Sequence, residues 1–211
     1  MSMQLHEEAY RGREALARCR DFPVTVCGAG ALGGNLLEHL ARVGFARLAV
    51  VDRDRVEEHN LATQPYQRGD IGAAKAQLLA RDLYRAVGVE ITAHCRRLTP
   101  ENARKLLRGS ALVVDCFDNR ASRAAVGEWC AASEVPCLHA GMVGDYGEVL
   151  WHEVYRLPEA VGEDLCDYPL ARSLATLVAT VAAEAVLRFV IRGERRGYTV
   201  TLEDLAICEF A

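Results

Sequence analysis

The chain has 211 residues, of which 51% are hydrophobic and 26% are charged, so it is long enough to form one domain that needs no disulfide or metal for stability. Its 25 basic and 29 acidic residues are interspersed and give a net charge of -4, which excludes the basic surface that nucleic acid requires. The charged N-terminus and the short apolar runs exclude a secretion signal and a membrane span, so we expect a soluble cytoplasmic protein.

Helix and strand patterns alternate along the first two thirds of the chain. An amphipathic helix over 4–20 precedes a β-rich run over 22–27. The elements expected next are a helix over 31–43, a strand over 48–51, helices over 72–86, 100–107 and 122–132, and strands over 89–94, 111–115 and 135–139. This alternation is typical of a parallel sheet with helices on both faces.

The pattern changes after residue 140. Residues 148–155 alternate like a strand with one solvated face, and residues 198–202 and 205–209 indicate a hairpin. A long alanine-rich helix over 170–191 follows a polar connection over 156–169. We therefore expect one α/β domain, with a mainly parallel sheet, helices on both faces and added antiparallel strands at its C-terminal side.

A glycine-rich turn joins the first strand to the following helix. Gly28, Gly30 and Gly33 fit GxGxxG in the strand-to-helix context that nucleotide binding requires. The first permits a tight turn, the second lets the backbone approach a phosphate or sugar, and the third lets helix and strand pack closely. Asp52 ends the second strand, where a carboxylate accepts hydrogen bonds from ribose. The alternative is a glycine turn used only for packing.

Polar residues after the second and fourth strands favour a phosphoryl or nucleotidyl site. They lie in the segments 52–64, 70–75 and 115–119. Lys75 can pair with phosphate oxygens, Asn60 and Gln64 can donate to a triphosphate or order the loop, and Asp118 can hold a magnesium ion. A dehydrogenase has no reason to place these groups in this order, so hydride transfer is the weaker interpretation.

These motifs resemble the ThiF/MoeB superfamily, the bacterial relatives of ubiquitin-activating enzymes. The resemblance covers roughly residues 12–192 and includes the glycine turn, DxDxVxxxNLxxQ, IGxxK, DxxDNxxxR ending at Arg123, and the alanine-rich helix with Glu184. It implies a Rossmann-like fold and a homodimer. It also implies an adenylyltransferase that uses ATP and magnesium to activate the C-terminal carboxylate of a ubiquitin-like or sulfur-carrier protein ending in Gly-Gly.

The resemblance also implies roles for individual residues. The nucleotide contacts would be Gly28, Gly30, Gly33, Asp52, Asp54, Asn60, Lys75, Asp118 and Asn119. The catalytic residues would be Asn60, Gln64, Lys75 and Asp118, with Asp118 as the magnesium ligand. Within a single adenylation domain over 1–211, the N-terminal helix would occupy 1–20, the nucleotide-binding part 21–140, and the partner and dimer contacts 141–211.

The eight cysteines form no CxxC pair, so we expect neither a disulfide framework nor the structural zinc that many relatives contain. Cys166 precedes the long C-terminal helix, at a place similar to that of a ThiF-type cysteine that bonds to the carrier. A helix N-terminus would favour its thiolate, whereas the acidic residues around it would disfavour the thiolate. An ordinary loop cysteine is the alternative to a nucleophile.

Two arginines that are usual in the family are missing. Thr63 stands where NLxRQ has arginine, and YRGR, with Arg11 and Arg13, replaces the N-terminal RYxRQ. Such arginines donate charge-assisted hydrogen bonds to the leaving pyrophosphate. A nucleotide-binding partner module with little turnover therefore stays open, as does adenylation of a small carboxylate. The candidate replacements are Arg53, Arg55 and Arg68.

The histidines receive no catalytic role from the sequence. His59 is interpreted as an exposed loop residue, and His139 and His152 lie at strand ends without metal-ligand spacing. Cys116 is expected to pack against the sheet, and Glu148 to border a groove for a partner's tail.

Overall fold

One eight-stranded sheet organises the computed structural model, which describes residues 3–157 and 169–210. The strands are β1 (Val24–Cys27), β2 (Leu48–Val51), β3 (Ile91–His94), β4 (Leu112–Asp115), β5 (Cys137–Val143), β6 (Tyr146–Trp151), β7 (Tyr198–Thr201) and β8 (Ile207–Glu209). Their order across the sheet is β3-β2-β1-β4-β5-β6-β7-β8. The first five strands pair in parallel, and β6, β7 and β8 add antiparallel pairs. The expected fold class is confirmed.

Helices lie on both faces of this sheet. In the described part of the chain they are α1 (Leu5–Arg11), α2 (Arg13–Asp21), α3 (Ala31–Val43), α4 (Lys75–Val87), α5 (Pro100–Leu107), α6 (Arg120–Ser133) and α7 (Arg172–Arg192). Helices α3, α4 and α7 pack on the face of the sheet that carries Val26. Helices α5 and α6 pack on the opposite face, which carries Cys27. Because both faces are covered, the central parallel strands β1 and β4 are buried along their whole length.

The longest helix, α7, supports one face of the sheet. It packs against α3, β5 and β6, and its inward residues, Leu174 and Val178 among them, are fully buried. By length and composition α7 is apolar enough to cross a membrane, but more than half of it is buried inside the domain. Its apolar character is therefore that of a core helix.

Several boundaries differ from those expected from the sequence. The helix expected over 4–20 is two helices, because Gly12 at the break adopts a φ of +89°. Gly72 also has a positive φ, and α4 begins only at Lys75. The strand expected over 148–155 is shifted, because β6 pairs with β5 as a hairpin and ends at Trp151.

The turn between β1 and α3 is closely packed. Gly28 has a φ of +100°, and an added Cβ there would lie 2.9 Å from the carbonyl oxygen of Cys116. An added Cβ at Gly33 would lie 2.0 Å from the carbonyl oxygen of Gly28, whereas at Gly30 the nearest atom is 4.0 Å away. Gly28 and Gly33 are therefore required by packing, and Gly30 is not.

We expect Gly33→Ala to lower the free energy of unfolding by about 1–3 kcal/mol, because the new methyl group would push α3 away from β1. Gly30→Ala is the matched control and should change stability by less than about 1 kcal/mol. Urea denaturation of the two variants measures the difference. Equal losses would contradict the packing assignment.

Candidate active site

The open side of the glycine turn faces one polar side chain. The atom nearest to an added Cβ at Gly30 is Nε2 of Gln64. Gly30 also precedes α3, which has no side-chain cap, so the first N–H groups of the helix lie at the turn. A helix N-terminus next to an uncrowded glycine favours an anionic group such as a phosphate.

Asp52 ties the glycine turn to the segment that follows β2. The side chain is buried, its Oδ2 accepts the N–H of Ala29 at 2.6 Å, and its Oδ1 accepts the N–H of Asp54 at 2.6 Å. Burial raises the pKa of the Asp52 carboxyl group, and these two N–H groups and the Lys75 charge partly oppose that rise. Each carboxylate oxygen can accept a second hydrogen bond, as ribose recognition requires.

Asn60 and Gln64 lie on the 3-10 helix Glu58–Ala62 and just after it. Asn60 is buried, and its Oδ1 accepts the N–H of Glu57 at 2.9 Å, so this amide oxygen shapes its own segment. Among the described residues, the buried side-chain oxygen without a hydrogen-bond partner is Oε1 of Gln64. A buried amide oxygen without a donor costs about 1–3 kcal/mol, which a ligand hydroxyl group could recover, whereas Nε2 on the Gly30 side can donate to a phosphate.

Lys75 and Asp54 meet at the start of α4. The Lys75 side chain is buried, and its backbone N–H donates to the carbonyl of Asp54 at 3.0 Å. Asp54 itself is exposed and lies 3.3 Å from Arg53. Lys75 therefore brings a positive charge to the edge of the sheet where Asp52 lies, while Asp54 points its carboxylate toward solvent.

Asp118 and Asn119 follow β4 in the loop that crosses the glycine turn. Asn119 caps α6, because its side-chain oxygen accepts the N–H of Ser122 at 2.9 Å. Asp118 is exposed, and among the residues described no three His, Cys, Asp or Glu side chains are grouped to hold a metal ion. Nδ2 of Asn119 donates to Oδ1 of Asp118 at 3.5 Å, and this single exposed carboxylate still fits magnesium, which keeps several waters and binds through one or two carboxylates plus substrate phosphates.

A buried polar network that the sequence did not predict lies beside this loop. His139 Nδ1 lies 2.9 Å from Asp115 Oδ2, and His139 Nε2 lies 3.0 Å from His152 Nδ1. Arg123 donates to the hydroxyl of Tyr155 at 3.1 Å. The signal that could have revealed the first pair is that Asp115 and His139 end the strands expected over 111–115 and 135–139, but it required the strand order; in the structure His139 is the third residue of β5.

Comparison with known proteins places the chain in a family. The model of the ThiF family matches residues 2–199. The chain belongs to the ThiF family. It is 36% identical over 155 residues to the sulfur carrier protein adenylyltransferase of Thermus thermophilus, covering 72% of this chain and 56% of that protein. It is 29% identical to the molybdopterin-synthase adenylyltransferase of Salmonella typhimurium, covering 95% of this chain and 85% of that one.

Solved structures of low identity share the fold of this ThiF-family chain. The ATP complex of Escherichia coli MccB has a TM-score of 0.83 at 17% identity, covering 98% of this chain and 69% of that chain. Escherichia coli tRNA N6-threonylcarbamoyladenosine dehydratase, TcdA, also in complex with ATP, has a TM-score of 0.76 at 18% identity, covering 89% and 93%. Several relatives are longer, and the chain spans 33% of the Yarrowia lipolytica adenylyltransferase and sulfurtransferase UBA4.

The two arginines of the N-terminal YRGR and the three candidate replacement arginines have partners within the chain. Arg11 binds Glu184 of α7 and Glu7, and Arg13 lies 3.5 Å from Glu8. Arg53 pairs with Asp54 at 3.3 Å, Arg55 donates to the carbonyl of Gly72 at 2.6 Å, and Arg68 lies 3.8 Å from Glu58.

A different arginine reaches the segment that precedes Thr63, because Arg172 at the start of α7 donates to the carbonyl of Ala62 at 3.4 Å. Sequence reasoning missed Arg172 because it is 110 positions from Ala62.

The cysteines of this ThiF-family chain divide by burial. Cys116 is a free thiol, and burial raises its pKa, as it does for Cys27. Both thiols are therefore protonated. Cys27 is a core residue, and the partly buried Cys116 packs against the core, in agreement with the expectation for Cys116. Cys166 lies outside the described residues, and its role as a nucleophile stays a prediction.

We expect Asp52→Asn to destabilise the protein by about 1–3 kcal/mol, because an amide can accept only one of the two N–H groups that Asp52 now accepts. Asp54→Asn is the matched control, since its exposed carboxylate holds no buried donor, and should change stability by at most about 0.5 kcal/mol. Thermal unfolding at neutral pH compares the two variants. A larger loss in Asp54→Asn would contradict the role assigned to Asp52.

Proposed function

We propose that this chain is an ATP-dependent adenylyltransferase that activates the C-terminal carboxylate of a ubiquitin-like or sulfur-carrier protein. The observation that carries the proposal is the Gln64 side chain, whose Nε2 faces the open side of Gly30 and whose buried Oε1 has no hydrogen-bond donor among the described residues. Asp52, which follows β2, and the buried Lys75 lie at the same edge of the sheet. Asp118 follows β4, which flanks β1 on the side opposite β2. These groups suit the ribose and phosphates of a nucleotide.

In the proposed reaction, the carrier carboxylate attacks the α-phosphate of ATP and pyrophosphate leaves. The protein must hold two anions together, which is mainly a matter of orientation and electrostatics. Lys75 would supply a positive charge near the phosphates, and the first N–H groups of α3 would donate to them. Asp118 would hold magnesium, which supplies further neutralisation of phosphate charge when bound.

The relatives support this class of substrate. Those from Thermus thermophilus and Bacillus subtilis are named as adenylyltransferases of a sulfur carrier protein and of the sulfur carrier protein ThiS. A carrier that ends in Gly-Gly, a homodimeric assembly and a cytoplasmic location are parts of the same proposal, as is the use of magnesium.

A second candidate is a nucleotide-binding partner module with little turnover. It is favoured by the absence of an arginine at Thr63 and by the engagement of Arg11 with Glu184 inside this chain. It predicts ATP binding without turnover, whereas a dehydrogenase would bind NADH more tightly than ATP.

We expect the protein to catalyse exchange of pyrophosphate into ATP in the presence of a purified sulfur-carrier protein ending in Gly-Gly. Asp118→Ala should reduce this exchange by at least about 100-fold, because a group that stabilises the reacting phosphates is lost. The control is Glu90→Ala, an exposed carboxylate that precedes β3 at the opposite edge of the sheet. Exchange that survives Asp118→Ala would contradict the site. ATP binding without any exchange would favour the partner module.

We expect Arg172→Ala to weaken ATP binding by about tenfold, because a hydrogen bond from a charged donor contributes at least about 1.5 kcal/mol. Arg188→Ala removes an exposed arginine from the same helix, where it pairs with Glu194 at 3.8 Å, and should leave ATP binding unchanged. Isothermal titration calorimetry of the free protein measures both affinities. Equal affinities in the two variants would show that Arg172 does not replace the missing arginine.

A further inference from the structure

Asp115 joins the end of β4 to the loop that carries Asp118. It is 0% exposed, and its Oδ1 accepts the N–H of Phe117 at 3.1 Å. Its Oδ2 accepts from Nδ1 of His139 at 2.9 Å and lies 3.5 Å from Nη1 of Arg123. The two carboxylate oxygens therefore connect the loop backbone to side chains outside β4.

The position of His139 follows from the sheet. Asp115 and His139 are register partners in the parallel β4–β5 pair. The His139 ring is buried, stacks on Tyr155 at a centroid distance of 3.8 Å, and places Nε2 3.0 Å from Nδ1 of His152. Burial lowers the pKa of His152, so this side chain is neutral and can donate its Nδ1–H to His139. The ring cannot turn without breaking bonds at both nitrogens.

This network contains more charge than packing requires. Arg123 also donates to the carbonyl of Ala140 at 2.8 Å, and burial raises the pKa of the Glu148 carboxyl group, a rise that the nearby Arg123 charge partly opposes. Apolar side chains of similar volume generally stabilise a core as well as a buried ion pair does. A buried ionic network that ends at a loop backbone therefore points to a requirement for one loop geometry.

We propose that His139 is a positioning residue of the nucleotide site, which fixes the 116–119 loop through Asp115 and thereby places Asp118. The part that concerns Asp118 rests on the proposed function. The part that concerns the loop is a property of the free protein. His139 does not contact the reacting atoms in this proposal and acts only through Asp115.

Two substitutions test the roles of the two ring nitrogens of His139 separately. The amide nitrogen of His139→Asn lies near the former Nδ1 and can still donate to Asp115. The amide nitrogen of His139→Gln lies near the former Nε2 and leaves Asp115 without that donor. Both replacements are neutral and polar, so a loss confined to His139→Gln cannot be assigned to a change of charge.

The first measurement is hydrogen exchange of the Phe117 amide by NMR in the free protein. We expect its exchange to be at least about tenfold faster in His139→Gln, because Asp115 loses a donor there, and unchanged in His139→Asn. A tenfold increase corresponds to a loss of about 1.4 kcal/mol in the free energy of opening. Unchanged exchange in His139→Gln would overturn the proposal. If that variant does not fold, His152→Ala should accelerate Phe117 exchange in the same direction, and no change there would overturn the proposal as well.

The second measurement is ATP affinity with magnesium and with a chelator present. We expect His139→Gln to lose the magnesium-dependent part of the affinity, as Asp118→Ala does, and to keep the metal-free part. His139→Asn should keep both. Equal losses in the two His139 variants would overturn the proposal. A wild-type protein that binds no ATP, with Phe117 exchange responding as expected, would reject the proposed function and leave the positioning of the loop in place.

Discussion

The contact between α3 and the carbonyl of Gly28 determines where the remaining site residues lie. With no side chain at Gly33, the start of the helix comes directly to the carboxyl edge of the sheet. There the N–H of Ala29 reaches Asp52, and the hydroxyl of Tyr66 donates to the carbonyl of Ala29 at 2.6 Å. The protein thus holds both polar groups of Ala29 itself, and Gly30 is the adjoining position that stays open to a ligand. A side chain at position 33 would disturb this entire arrangement.

Local sequence signals predicted most of the elements, and the exceptions at Gly12 and Val143 have different causes. The bounds of α3 were predicted correctly, since its glycine turn and apolar period are adjacent in sequence. The break at Gly12 was not predicted, because a single glycine within an amphipathic pattern is compatible with a continuous helix. The extension of β5 to Val143 was missed for another reason. It follows from pairing with β6, and the sequence does not show how far a hairpin continues.

The site residues also differ in whether the sequence alone could bring them together or the strand order was needed. The edge of the sheet that carries Asp52 and Asp118 was predicted, because the carboxyl ends of parallel strands meet there. The link from Asp115 to His139 was not, since it depends on which strands are neighbours and on their register. The resemblance implies a nucleotide contact for Asn119, which stays a prediction, and the structure adds that its side-chain oxygen caps α6. A motif identifies residues that matter without separating those that hold the loop from those that contact a ligand.

The position of the loop after β4 is important in this chain because the positive charges near the site are partly offset by other groups. In the proposed reaction two anions are brought together, and the arginines near the site have acidic or backbone partners of their own. Lys75 is buried near Asp52, which offsets part of its charge. In the proposed reaction, neutralising the phosphates would depend largely on a cation held by Asp118 and on Arg172, which a hydrogen bond to the carbonyl of Ala62 holds beside the 3-10 helix Glu58–Ala62. An exposed carboxylate holds a cation at one position only if its backbone is fixed. The hydrogen bond from the Phe117 amide to Asp115 fixes that backbone one residue before Asp118.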